Sequence, residues 1–288
     1  MISNSTMPSY SKIDLHTHSN KSDGELSPYD LVTKASNNGI QMLALTDHDT
    51  VSGLSDAKKA ATEKNINFIN GIELSTQWDN KTIHIVGLNI ESENALIIKA
   101  CEKLKVLRED RAKKISQKLA KVGVRGAHEY TKKLAINGNI TRFHFAKFLI
   151  EKKYAKNQTD VFKNYLVKGK PGYVSANWPN LSETINLINT IGGVAVIAHP
   201  LRYKITATKL RKLIDEFKYS GGKAIEVITS HNISKEITAV SSYAKKYNLA
   251  ASIGSDFHNE SVSWNRLGEL PLLPESLIPV WKLWNKNN

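Results

Sequence analysis

Ile13-Asp14-Leu15-His16-Thr17-His18-Ser19-Asn20-Lys21-Ser22-Asp23-Gly24 is the stretch on which the rest of the chain turns. Apolar Ile13 and Leu15 alternate with Asp14 and His16, the period of a β-strand. Side chains on a strand alternate faces, so His16 and His18 point the same way, about 7 Å apart along the strand. Thr17 and Ser19 are too polar for a strand interior and mark its end. Asp23 follows in a turn, where Gly24 is expected to permit an unusual backbone angle. Two imidazoles at i and i+2 on a strand end can hold one metal ion, with Asp23 swinging in as an oxygen ligand. A surface histidine pair has the same spelling, and the rest of the chain has to decide between the two.

Downstream, Ser27 and Pro28 open a helix as N-cap and first residue, and Gly39 closes it. Residues 41–47 form a short apolar strand that runs into T-D-H-D-T, leaving His48 just past its end. A helix over 53–64, a strand over 67–75 carrying Glu73 and a strand over 81–89 carrying His84 follow. This is a β-α-β-α-β pattern, the sign of a parallel sheet covered by helices. The alternation breaks over 94–191, which is mostly helical. Ile97, Leu104, Leu107, Ile115, Leu119 and Val122 line one amphipathic helix, and shorter helices are expected over 127–135, 142–151 and 159–167. It resumes at Gly193. A strand over 194–198 ends in His199-Pro200, one over 224–229 has His231 beyond its end, and one over 249–254 runs into Ser255-Asp256-Phe257-His258. Helices over 208–219 and 233–247 separate them. The expected fold class is α/β, with seven candidate strands over 12–93 and 192–270, a basic helical insert over 94–191 and a tail over 271–288; the length suits one large α/β barrel or two domains.

The 288 residues carry a net charge of +13. Residues 99–170 hold 20 Lys and Arg against 6 Asp and Glu, whereas the remainder holds 20 against 21. All the excess positive charge therefore sits in the insert, as expected for an anionic substrate or nucleic acid, although a solvated lysine face is written the same way. The single cysteine, Cys101, excludes an internal disulfide and a thiolate zinc cage and receives no role. No run of eighteen apolar residues suggests a membrane span, and residues 1–11 lack the apolar core of a signal peptide, so a cytoplasmic location is expected.

His16, His18, Asp23, His48, Glu73, His84, His199, Asp256 and His258 end or lie within the strands. They include six of the nine histidines. Parallel α/β folds assemble their sites at the C-terminal strand ends, where most of these residues fall; His84 is an exception, inside its strand. Imidazole with carboxylate suits Mn²⁺, Fe²⁺ or Zn²⁺. A bridging Glu between two ions permits activation of water against a phosphoester, an amide or a lactone. Asp14, Asp47 and Asp49 flank these residues as partners that orient imidazoles or as turn residues. His128 and His144 are expected to pack or face solvent. Tyr173 and Trp178 suit core packing or base stacking.

The blocks D-L-H-T-H-S with S-D-G, A-L-T-D-H-D-T, G-I-E-L-S, H-I-V-G, I-A-H-P and G-S-D-F-H resemble the PHP (polymerase and histidinol phosphatase) superfamily. The resemblance implies a distorted (β/α)7 barrel with a trinuclear site. It assigns one ion to His16, His18, Glu73 and Asp256. A second shares Glu73 and takes His84 and His199, and a third takes Asp23, His48 and His258. Within the insert, I-T-R-F-H-F-A (140–146) and G-K-P-G-Y-V (169–174), together with H-P-L-R-Y (199–203), resemble the RNase AM type of this superfamily. In that group T-R-P-H is usual where this chain has T-R-F-H, and a glycine is usual at Leu201. The group includes a 5′-to-3′ exoribonuclease and enzymes that remove the 3′-phosphate of 3′,5′-bisphosphonucleosides. Both activities break a 3′ phosphorus–oxygen bond of a nucleotide bearing a 5′-phosphate. The resemblance thus implies a metal-dependent phosphoesterase acting on RNA 5′ ends or nucleoside bisphosphates, with no obligatory protein partner. Manganese is expected in the site, with zinc or iron as alternatives. Arg142 and Arg202 are expected to grip phosphate oxygens, and His231 is a candidate acid for the leaving oxygen or a substrate contact, with a helix-capping or solvent histidine as the competing expectation. A phosphatase limited to small molecules such as histidinol phosphate, and a non-catalytic metal- or nucleic-acid-binding module, are the competing expectations.

Overall fold

A computed structural model describes residues 11–136, 138–230, 232–260 and 265–284. In chain order its elements are β1 (Ile13–Asp14), α1 (Pro28–Asn37), β2 (Met42–Leu45), α2 (Leu54–Glu63), β3 (Asn67–Trp78) and β4 (Lys81–Leu88). The insert follows with α3 (Ala95–Ala120), α4 (Ala127–Leu134), α5 (Arg142–Glu151) and α6 (Gln158–Val161), the last continued by a π-turn over Phe162–Leu166. Then come α7 (Leu181–Thr190), β5 (Val194–Ile197), α8 (Ala207–Tyr219), β6 (Ala224–Ile228), α9 (Ser234–Lys246) and β7 (Ala250–Ile253). Local chemistry sets the ends as expected. Ser27 caps α1 by accepting from the Asp30 N–H with Pro28 in the first turn, and Gly39 leaves the helix at a φ of 74°.

The seven strands pair in chain order. β1–β2, β2–β3, β5–β6 and β6–β7 are parallel. Three backbone hydrogen bonds then bring the first and last strands together: Leu15 N–H to Ile253 O at 3.0 Å, His18 N–H to Phe257 O at 2.9 Å and Asp256 N–H to His16 O at 2.8 Å. The sheet is therefore a nearly closed, distorted (β/α)7 barrel. Every residue of β2, β5, β6 and β7 is buried, because helices cover the outside and side chains fill the inside.

The expected parallel pattern fails at β4, which runs antiparallel to both β3 and β5. Only Asp79 and Asn80 separate Trp78 from Lys81, too few for a crossover. Both hold positive φ, 44° and 58°, the left-handed pair of a type I′ hairpin turn. The reversal has a functional consequence. Ser75 lies opposite His84, so the start of β4 sits at the same mouth as the end of β3. His84 reaches the site from inside its strand for this reason.

Two apolar clusters divide the chain. The larger fills the barrel and takes in Ile97 and Leu104 of α3 and Leu181, Ile185 and Ile188 of α7. Although α7 lies within 94–191, it thus packs as a barrel helix. The smaller cluster runs from Ala112 to Leu166 around Phe145 and Phe148, with Val174 at its edge. α3 crosses from one to the other. Arg108, midway along its buried face, donates from Nε and Nη2 to Asp49 Oδ2 at 2.7 and 2.6 Å. Asn139 adds a bond from its amide to the His48 carbonyl at 2.7 Å. These polar ties hold the insert against the barrel mouth. No helix among the described residues is long and apolar enough to cross a membrane.

Candidate metal centre

Glu73, fully buried on β3, is the hub. Its Oε1 lies 3.0 Å from His84 Nδ1, 3.0 Å from His199 Nε2 and 3.4 Å from His16 Nε2. Its Oε2 lies 2.8 Å from His48 Nδ1 and 3.4 Å from His18 Nε2. Asp256 Oδ1 stands 3.1 Å from His18 Nε2 and 3.4 Å from His16 Nε2. Asp23 Oδ1 is 3.3 Å from His258 Nε2, and its Oδ2 is 3.8 Å from His48 Nε2. All nine residues thus converge at one mouth. Three groups of donors lie within reach of a single point each: His16, His18, Glu73 and Asp256; His48, Glu73 and His84; and His18, Asp23, His48 and His258. Two donors each about 2.1 Å from a shared ion sit roughly 3–3.5 Å from one another, so these separations fit divalent cations. The polar atoms left over fit them too. His16 Nε2, His18 Nε2, His48 Nδ1, His199 Nδ1 and Glu73 Oε2 are buried without a hydrogen bond. Five orphans in one cluster are expected of ligands and costly otherwise.

The backbone bends to make this convergence. Asp256 has a φ of 55° and His199 of 28°, conformations that side chains avoid and that concentrate at functional sites. Gly24 is needed for space, not for an unusual angle. Its φ is not left-handed, but an added Cβ would stand 2.2 Å from the His18 carbonyl oxygen. Gly254 is similar: a Cβ there would meet His16 Cβ at 2.2 Å and Glu226 Oε1 at 2.8 Å.

The flanking aspartates hold the loops and orient no imidazole. Asp14 accepts from the backbone N–H groups of Ser255 and Gly268 at 2.8 and 2.9 Å. Asp47 accepts from the hydroxyls of Ser19 and Ser22, both at 2.6 Å. Asp49 accepts from the Ser75 N–H at 2.6 Å besides pairing with Arg108. Burial pushes Asp14 and Asp47 up to about 6 despite these bonds. A carboxylate that does orient an imidazole is Glu226. Its Oε1 accepts from His16 Nδ1 at 2.9 Å and its Oε2 accepts from the His199 backbone N–H at 2.6 Å. His16 Nε2 is thereby left to face Glu73 and Asp256. Glu226→Ala is expected to weaken metal affinity by about 10–100-fold, the usual effect of removing such a partner. Calorimetric titration of the metal-free variant measures it.

The electrostatics explain how ions load. Burial alone would raise the Glu73 carboxyl, yet His48, His84 and His16 hold it well below the usual range. Burial would likewise raise Asp256, but Arg202, His16 and His258 hold it low. Conversely, burial would lower His16 and His258. The carboxylates of Glu226, Glu73 and Asp256 instead raise His16 well above its ordinary value, and Asp23 and Asp256 raise His258 to about 9. Without ions, these carboxylates favour the doubly protonated imidazoles. A ligand must be neutral, so loading expels protons and affinity falls as pH falls. Titration calorimetry in buffers of differing ionisation enthalpy is expected to show that release.

Beside the centre lies a cavity of about 140 Å³ whose wall is shared by Asp23, His48 and His84. Arg108, Arg111, Arg142 and Trp178 line it. Arg108 and Arg111 stack over Trp178 at 5.2 and 5.7 Å, and Arg142 over Phe162 at 5.6 Å. Of these three arginines, only Arg108 has a carboxylate partner among the described residues. Burial and the neighbouring Arg142 and Arg108 push Arg111 down to about 9. Arg142 is lowered by burial and by Arg108. Three guanidiniums against two carboxylates, Asp23 on the wall and Asp49 on Arg108, make a cavity suited to an anion. Arg202 lies apart from this group, its Nη1 on Asp256 Oδ2. His144, buried, caps α5 by accepting from the Thr141 N–H at 3.0 Å. His128 pairs with Glu109 at 3.0 Å. His231 lies outside the described residues.

A family model described as the PHP domain matches residues 14–230. Among curated proteins, the 5′-3′ exoribonuclease of Haemophilus influenzae is 42% identical over 271 residues, spanning 94% of this chain and 98% of that protein. The 3′,5′-nucleoside bisphosphate phosphatase of Chromobacterium violaceum is 36% identical over 271 residues, spanning 94% and 95%. Among solved structures, an amidohydrolase from Chromobacterium violaceum, with bound sulfate and no metal, superposes with a TM-score of 0.90 at 36% identity over 94% of this chain and 95% of that one.

Proposed function

The chain belongs to the PHP domain family, and from that premise we propose that it is a metal-dependent phosphoesterase with two uses of one reaction. It hydrolyses the 3′ phosphorus–oxygen bond of a nucleotide bearing a 5′-phosphate. On RNA this is 5′-to-3′ exoribonuclease activity, and on a 3′,5′-nucleoside bisphosphate it is 3′-phosphatase activity. The observation that carries this is the arginine cavity sharing a wall with the metal centre. A second phosphate can be held there while the first lies at the centre.

Water adds to the 3′ phosphorus, the bond to O3′ breaks, and O3′ keeps the electron pair and takes up a proton. The products are a nucleoside 5′-monophosphate and either inorganic phosphate or an RNA one residue shorter. That shortened RNA again carries a 5′-phosphate, so it is again a substrate. Divalent ions, when bound, supply an activated water and neutralise charge on the phosphoryl oxygens. We assign His16, His18, Asp23, His48, Glu73, His84, His199, Asp256 and His258 to holding three of them. An imidazole and carboxylate set without thiolate suits manganese, with zinc or iron as alternatives. Arg111 and Arg142 are assigned to the 5′-phosphate, since planar guanidiniums pair with phosphate oxygens. Arg202, on the Asp256 side, is assigned to the scissile phosphate. The substrate class implies a cytoplasmic site of action, where RNA is made and turned over.

The test is a panel of 3′,5′-bisphosphoadenosine, histidinol phosphate, and 5′-phosphorylated and 5′-hydroxyl oligoribonucleotides, each with manganese and with zinc. Turnover of the bisphosphate and of 5′-phosphorylated RNA, with 5′-hydroxyl RNA slow, is expected. Equal rates on the two RNAs, or preference for histidinol phosphate, would contradict it.

A further inference from the structure

Two cavities meet at Asp23 and Phe143, and hydrolysis of a nucleoside bisphosphate accounts for only one of them. Between the Asp23 turn of the barrel and α5–α6 of the insert lies the larger, of about 480 Å³. Its size falls within the roughly 300–1,000 Å³ of small-molecule sites. Its charges differ from those of the arginine cavity. Lys147 is its one lysine or arginine among the described residues and is offset by Asp23 and Glu25. His144 on its wall stays neutral, since burial pushes it down to about 4. That balance offers nothing for a second phosphate. Leu134 and Ile150 instead give it an apolar side, and the amides of Asn157 and Gln158 give it hydrogen-bonding edges. An apolar face with polar edges matches a nucleobase.

Chain direction selects which nucleoside. With the 5′-phosphate at the arginines and the scissile phosphorus at the metal centre, the first nucleotide spans the shared wall. What continues past that phosphorus in RNA, and is missing from a bisphosphate, is the second nucleotide, joined through its O5′. The larger cavity opens from the centre at Asp23, with Phe143 as the partition from the arginines. We infer that it receives the second nucleoside of a 5′-phosphorylated RNA, and that occupancy there separates exonuclease action from bisphosphate hydrolysis at the same centre. The inference rests on the function proposed above.

Lys147 is exposed on α5, so Lys147→Trp fills the cavity without entering either core. Metal-loaded wild type and variant are compared on 3′,5′-bisphosphoadenosine, on 5′-phosphorylated diadenosine and on the same dinucleotide with an abasic second residue. In the variant, kcat/KM on the dinucleotide is expected to fall about tenfold, the scale of one lost base contact. On the bisphosphate it is expected to stay within about twofold, which also reports that the variant is folded. Wild type is expected to lose a similar factor on the abasic dinucleotide, and the variant is expected to treat the two dinucleotides alike. Equal losses on bisphosphate and dinucleotide would assign the cavity to the first nucleoside and overturn the inference. So would an unchanged rate on the dinucleotide, or a wild type indifferent to the second base. Failure of wild type to hydrolyse either the bisphosphate or the dinucleotide would overturn the underlying function instead.

Discussion

Glu73→Gln is expected to lower kcat/KM on both bisphosphate and RNA by at least ~10³-fold, the scale seen when a member of a catalytic unit is removed. The two Glu73 oxygens face five imidazoles between them, at 2.8 to 3.4 Å. Glutamine keeps the volume but turns one acceptor into a donor aimed at imidazole lone pairs. It also removes the negative charge common to two of the three donor groups. Bound metal measured by elemental analysis should fall with the activity, while circular dichroism stays that of wild type. A variant that kept full metal content and activity would remove the hub from the account.

The second large effect concerns the 5′-phosphate. Arg111→Met combined with Arg142→Met is expected to cost 5′-phosphorylated substrates about 10²-fold or more in kcat/KM, since each lost charged hydrogen bond is worth roughly 1.5–3 kcal/mol. Substrates with a 5′-hydroxyl should change little, because they offer those guanidiniums no dianion. Both arginines are half-buried without a carboxylate partner among the described residues; Arg111 is lowered by burial, Arg142 and Arg108, and Arg142 by burial and Arg108. Removing them should therefore relieve repulsion, and the thermal midpoint should hold or rise. Equal losses on both substrate types would show that the cavity serves the centre's structure and not the phosphate.

Much of the barrel was legible because its determinants are local. Period-two and apolar strands, the Ser27-Pro28 start and the Gly39 stop mark the elements, and most of the metal-capable residues sit where strands end. The direction of β4 was missed because it depends on Asp79 and Asn80 both adopting left-handed φ, a turn hidden in a polar D-N step. Gly24 was assigned to backbone freedom when its need is closeness to the His18 carbonyl. That is a tertiary property, with no trace in composition.

Glu226, Arg108 and Arg111 escaped for related reasons. Glu226 is the one carboxylate in the apolar strand Ala224–Ile228, a signal that was present and easily taken for noise. Arg108 falls on the buried stripe of α3 between Leu104 and Ala112, and Arg111 follows one turn later. Among so many lysines both merged into a general basic face. What distinguishes them is their placement, Arg108 buried on Asp49 and Arg111 half-buried over Trp178, and only packing reveals that. The aspartates at 14, 47 and 49 show the converse. Their proximity in sequence to the histidines suggested imidazole partners, but backbone and hydroxyl donors lie closer in space.

Anomalous diffraction from crystals loaded with manganese tests the central claim most directly. Three scattering peaks are expected: one among His16, His18, Glu73 and Asp256, one beside Glu73 and His84, and one beside Asp23, His48 and His258. Crystals with no anomalous density at this mouth, or with manganese bound only elsewhere on the chain, would contradict it.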